Sequence, residues 1–101
     1  MRLIQFGSRG QERPGLWRDG RIVDLRKHFK DIPAIGEAFF REGWLKNIAG
    51  LDDPGEASGV RLGCPISSPS KIICLGKNYA EHAQEGGFDA PTKPLLFCKT
   101  L

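Results

Sequence analysis

The sequence has few of the features that mark membrane, secreted or nucleic-acid-binding proteins. It contains no stretch near the ~20 apolar residues that a membrane-spanning helix requires, and its N-terminus, MRLIQFGSRGQE, turns polar too early for a signal peptide or an anchor. The formal net charge of +3 comes without any run of like charges that would follow nucleic-acid phosphates. A cytoplasmic protein with no membrane or nucleic-acid partner is predicted.

Cysteine is also scarce, with Cys64, Cys74 and Cys98 and no C-x-x-C spacing. This excludes the usual disulfide framework and zinc-ribbon patterns. Cys74 and Cys98 stand inside apolar runs, so they are predicted to be small buried hydrophobic residues rather than to have a metal or redox role.

The sequence also has no glycine-rich phosphate loop. Gly76 is therefore predicted to form a tight turn from a strand into a helix.

The N-terminal half has the composition of a small α+β domain. Residues 2–6 alternate apolar and polar, and Asp19-Gly20 separates two runs of strand-forming residues, which predicts a hairpin with strands near 15–18 and 21–25. Residues 52–59 are predicted to be a loop, with a brief strand at 60–62. Residues 35–49 show helical periodicity with a break at Gly43.

Further details concern the ends of these helices and the aromatic residues. Asp31 is a candidate helix cap, because Pro33 suits a first helical turn. The aromatic side chains of the helical stretch, together with Trp17 and Trp44, are predicted to pack in the core rather than to bind a ligand.

A proline- and serine-rich segment, GCPISSPS, predicts a domain boundary near residue 68. Domains at 1–68 and 69–101 are therefore expected. After the boundary, KIICL (71–75) and LLFC (95–98) are typical of buried strands. Buried strands need partners and a covering layer, so the second domain is expected to be the front part of something longer.

The candidate catalytic residues lie in the stretch KNYAEHAQEGG. Asn78 and Glu81 have the spacing of a capping box, which predicts a short helix whose one face carries His82 and Glu85. A carboxylate beside a histidine orients the ring and stabilises the imidazolium, so the pair could activate water. The alternative is a solvated pair on a surface helix. The helix is short enough to act as a mobile lid with Gly86 and Gly87 as hinge.

Lys99 follows the second apolar run, where the ends of strands commonly meet ligands. It is a candidate substrate-binding cation, and the alternative is an ordinary charge at the end of a strand.

Together these stretches resemble the fumarylacetoacetate hydrolase family. Residues 73–85 match I-x-x-G-x-N-Y-x-x-H-x-x-E, and residues 91–99 match P-x-x-P-x-x-F-x-K. The N-terminal part is similar to the small leading domain of bacterial members of the ureidoglycolate lyase and 2,4-diketo-3-deoxy sugar acid hydrolase kind. The resemblance implies a fold in which this leading domain is followed by the first strands of a mixed β-roll.

The resemblance also implies an activity and a set of roles. It implies a metal-dependent hydrolase, commonly a homodimer, that cleaves a C–C bond in a 1,3-diketo acid such as an acylpyruvate. His82 matches the base and Glu85 its partner on the lid helix. Lys99 matches a lysine of the strand that lines the pocket, and Asn78, in the turn before the lid, is the other candidate for substrate binding. Mg²⁺, or Mn²⁺ or Ca²⁺, is implied as the cofactor, with an E-x-E pair and an Asp as ligands beyond the position of Leu101.

Other functions remain open at this point. The same scaffold hosts lyases, decarboxylases and isomerases, which differ in pocket residues outside this chain. A function from another class is a non-catalytic dimerisation or interaction module, which would apply if the chain ended at Leu101. The downstream E-x-E pair discriminates an enzyme, in which it would be present, from an interaction module, in which it would be absent.

Overall fold

The computed structural model describes residues 1–76 and 95–100. It divides the chain into two compact units, Met1–Ser68 and Pro69–Leu101. We call them the leading unit and the second unit. Both contain antiparallel sheet, and the leading unit adds short helices, so the described residues form an α+β structure. That the second unit begins a β-roll remains a prediction.

The leading unit is built on a four-stranded antiparallel sheet in the order β1-β2-β3-β4. Its strands are β1 (Leu3–Phe6), β2 (Arg13–Arg18), β3 (Arg21–Asp24) and β4 (Glu56–Ala57). The hairpin predicted at Asp19-Gly20 is confirmed, with φ angles of 49° and 80° at the two turn residues. Positive φ at both positions matches the turn to the right-handed twist of the flanking strands.

Three short helices cover the sheet: α1 (Leu25–His28), α2 (Glu37–Arg41) and α3 (Trp44–Ala49). The break at Gly43 is confirmed, since this residue has a left-handed φ of 75° between α2 and α3. The predicted cap at Asp31 is wrong, because α2 begins only after Gly36. Instead Asp24 caps α1, a helix that the sequence did not predict, by accepting a hydrogen bond from the Arg26 amide at 3.1 Å.

The segment before α2 is not helical. Residues 32–34 have no regular secondary structure and residues 35–36 form a turn, while Ile32 and Ile35 are both buried in the core. The core cluster consists of Leu16, Val23, Leu25, Ile32, Ile35, Phe39 and Ile48. Trp44 packs against it, as predicted, with its ring centroid 5.8 Å from that of Phe29. The prediction of core packing is wrong for Phe40, which is 47% exposed, and Trp17 is half-buried and lies outside the cluster.

The end of the leading unit runs back along β1. Leu62 forms a single bridge with Phe6, so the strand predicted at 60–62 is reduced to one pair. Buried Gln5 fixes the segment that follows: its Nε2 donates to the Cys64 carbonyl at 2.8 Å, and its Oε1 accepts from the Ile35 amide at 3.2 Å and the Ser67 hydroxyl at 3.0 Å. We call this set of bonds the Gln5 latch.

The loop predicted at 52–59 contains β4, which the sequence did not predict. Two arginines hold this segment by its carbonyls. Arg18 donates to the Leu51 and Asp53 carbonyls at 2.9 and 2.5 Å, and Arg21 donates to the Gly55 carbonyl at 2.9 Å. These bonds carry the chain alongside β3, where a two-residue ladder forms.

The second unit contains a two-stranded antiparallel hairpin of β5 (Ile72–Gly76) and β6 (Leu95–Lys99). The prediction that these strands are buried is wrong for this chain, since Ile73 is 60% and Leu96 65% exposed. Cys74 is half-buried and Cys98 is exposed, so their prediction as buried residues is also wrong. Among the residues that the structure describes, β5 and β6 form a two-stranded sheet, and a pair of strands by itself buries little of either face.

Among residues 1–76 and 95–100, the structure contains no helix with the length and apolar character needed to cross a membrane.

Candidate functional site

Lys99 is the one predicted site residue that lies among the described residues. It is the last residue of β6, is exposed, and stands opposite Ile72 in the antiparallel ladder. Because side chains alternate along a strand, Lys99 shares its face of the hairpin with Phe97 and Leu95. Its ammonium group therefore borders an apolar surface, an arrangement that suits a ligand with both a charge and an apolar part.

The opposite face of the hairpin is more strongly apolar. It carries Ile73, Leu75, Leu96 and Cys98, and the first three are each more than half exposed. A continuous exposed patch of large apolar side chains marks an interaction surface on a folded protein. This face of the hairpin is therefore a candidate interaction surface.

The register of the hairpin fixes where the predicted catalytic stretch is attached. Residues 77–94 connect Gly76 to Leu95, which form one end of the ladder, whereas Lys99 lies at the other end. Four residue steps of strand separate the two ends, which is about 13 Å at ~3.3 Å per residue.

The predicted catalytic residues His82 and Glu85, and the predicted substrate-binding residue Asn78, lie outside the described residues. Their roles remain predictions.

The described residues do contain another histidine–carboxylate pair, which the sequence did not indicate. His28 Nε2, at the end of α1, lies 2.6 Å from Asp53 Oδ2, and both side chains are about one-third exposed. The second oxygen of Asp53 accepts a hydrogen bond from the Gly55 amide at 2.7 Å. Because the two residues are 25 positions apart in the sequence, no local pattern could have revealed the pair. It ties α1 to the β4 segment, and we interpret it as structural.

The electrostatics of Asp53 predict a dependence of stability on acid. The Gly55 amide, followed by the His28 imidazole, holds the pKa of the Asp53 carboxyl below its ordinary value of 3.8. Near that pH the unfolded chain binds more protons than the folded one. The contribution of Asp53 to the free energy of unfolding is therefore fully present above about pH 5 and is lost as pH falls through the pKa of the folded state. We expect the free energy of unfolding, measured by urea titration, to fall across this range.

Asp53→Asn should reduce the acid-induced fall in the free energy of unfolding. Asp52→Asn makes the same change at the exposed neighbouring position and should not reduce it. The interpretation is wrong if the two variants show the same acid dependence. Glu12 contributes in the same direction, because its own amide and then Arg61 lower the pKa of its carboxyl.

No metal centre can be assembled from the described residues. Neither residues 1–76 nor 95–100 bring together three or more His, Cys, Asp or Glu side chains that could hold an ion. The acidic residues described above are instead paired with His28, Arg61 and backbone amides.

No protein-family model matches the sequence. Among curated proteins, it is similar to three named "Putative hydrolase", from Burkholderia multivorans, Burkholderia lata and Burkholderia ambifaria. The first is 35% identical, and the other two are each 34% identical, over 98% of this chain. The matched region is 36% of the length of each relative, so the chain spans about one-third of the proteins that it matches.

Proposed function

We propose that this chain is the leading part of a hydrolase of the fumarylacetoacetate hydrolase type, which cleaves a C–C bond in a 1,3-diketo acid such as an acylpyruvate or a diketo-deoxy sugar acid. Relatives named as hydrolases match almost the whole chain, which supports hydrolysis in general. The more specific proposal depends on the two-part sequence pattern. The observation that carries it is that β5 and β6, which hold residues from both parts, are paired along their full lengths.

In the proposed reaction His82 takes a proton from water, and the resulting hydroxide adds to the carbonyl carbon distant from the carboxylate. Collapse of the tetrahedral adduct breaks the C–C bond, and the electron pair leaves as an enolate that recovers the proton from His82. An acylpyruvate and water thus give a carboxylic acid and pyruvate. Glu85 orients the imidazole and stabilises its protonated form.

Lys99 and Asn78 are proposed to bind the substrate. An ammonium group pairs with a carboxylate as a point charge, and an exposed lysine at a strand end can reach a ligand without being desolvated beforehand. Lys99 would hold the acid end of the substrate, while its apolar neighbours on β6 contact the carbon chain.

Mg²⁺ enters the proposal through the family resemblance alone. A hard divalent cation would stabilise the charge of the departing enolate. The described residues do not form a site that fits such an ion, so we assign it no ligand among them. Homodimer formation is proposed, like the cofactor, from the family resemblance. The absence of nucleic-acid and membrane partners is proposed from the sequence composition.

A lyase, decarboxylase or isomerase on the same scaffold would use similar binding residues, and product identification separates these reactions. A second candidate function is that of a non-catalytic interaction module. The exposed apolar face of the β5–β6 hairpin is the observation that favours it.

The first test is His82→Ala in the full-length protein. Loss of a general base typically lowers turnover by ~10²-fold or more, and Mg²⁺ affinity should stay unchanged because His82 is not assigned as a ligand. Pyruvate and the carboxylic acid released from an acylpyruvate are quantified by chromatography, and Mg²⁺ binding is measured by calorimetry.

The matched control is His28→Gln, which changes the other histidine of the chain. It should weaken the tie to Asp53 but leave turnover within about threefold of the unaltered enzyme at temperatures where the leading unit is folded. Unchanged turnover in His82→Ala removes this residue from the mechanism. Absence of both products with the unaltered protein favours the interaction module or a different substrate class.

A further inference from the structure

We draw no further inference here: the strongest candidate, the exposed apolar face of the β5–β6 hairpin that carries Ile73, Leu75 and Leu96, supports no proposal beyond the interaction surface already described, because nothing among the described residues shows what covers it.

Discussion

Replacing Phe39 with alanine is expected to lower the free energy of unfolding of the leading unit by about 4 kcal/mol, within the range found for buried Phe→Ala changes. Phe39 is fully buried in α2 and belongs to the core cluster. The substitution removes apolar surface and leaves a cavity that short helices held by loops can only partly fill. Urea unfolding followed by tryptophan fluorescence measures the effect, because Trp17 and Trp44, the two tryptophans of the chain, both lie in the leading unit.

Phe40→Ala is the matched control, since it makes the same change at the next residue of the same helix. Phe40 is 47% exposed, and its ring lies edge to face with that of Phe39, with the two ring centroids 5.1 Å apart. An aromatic pair of this kind contributes about 1 kcal/mol, so the loss should be near that value. Similar losses in the two variants would show that the core described here is not the one that stabilises the unit.

Gln5→Leu is expected to lower the free energy of unfolding by about 3 kcal/mol, although leucine has a similar size and is more hydrophobic. Gln5 is 3% exposed, and its amide makes the three hydrogen bonds of the Gln5 latch. Leucine leaves the buried Ile35 amide without its partner, which costs about 1–3 kcal/mol, and it also removes the part-buried bonds to Cys64 and Ser67. The measurement is the same urea titration.

Gln11→Leu provides the control, because it makes the same chemical change at an exposed position. Surface substitutions of this kind usually change stability by less than about 0.5 kcal/mol. If Gln5→Leu proves as stable as the unaltered protein, the latch contributes no more than an apolar contact would.

The features that the sequence predicted correctly depend on neighbouring residues. Asp19 and Gly20 specify the turn by their tolerance of positive φ, and Gly43 specifies the break between α2 and α3 for the same reason. The periodic apolar positions likewise located the two helices and Phe39 in the core.

The features that it did not predict depend on residues distant in sequence. The partners of Gln5 lie 30, 59 and 62 residues away, so a lone polar residue in β1 carried no visible signal of its role. The strand β4 is held by Arg18 and Arg21 rather than by its own strand-forming residues. Asp31 failed as a cap because α2 begins at Glu37, six residues later.

In the candidate site, too, features that depend on neighbouring residues were predicted and features that depend on distant residues were not. The ends of the strand that carries Lys99 were predicted to within one residue, because the apolar run defines them. The exposure of β5 and β6 was not predicted, since it depends on which other segments pack against them. The composition of a strand indicates that the strand is suited to burial, but it does not indicate which other segment packs against it.

The core cluster of the leading unit draws only on residues between Leu16 and Ile48, and the Gln5 latch closes at Ser67. During synthesis, therefore, this unit can fold as soon as Ser67 has left the ribosome, before β6 has emerged. Folding of N-terminal units first is usual in translation. The apolar side chains of β5, such as Ile73 and Leu75, would then emerge before the strand with which they pair has been synthesised.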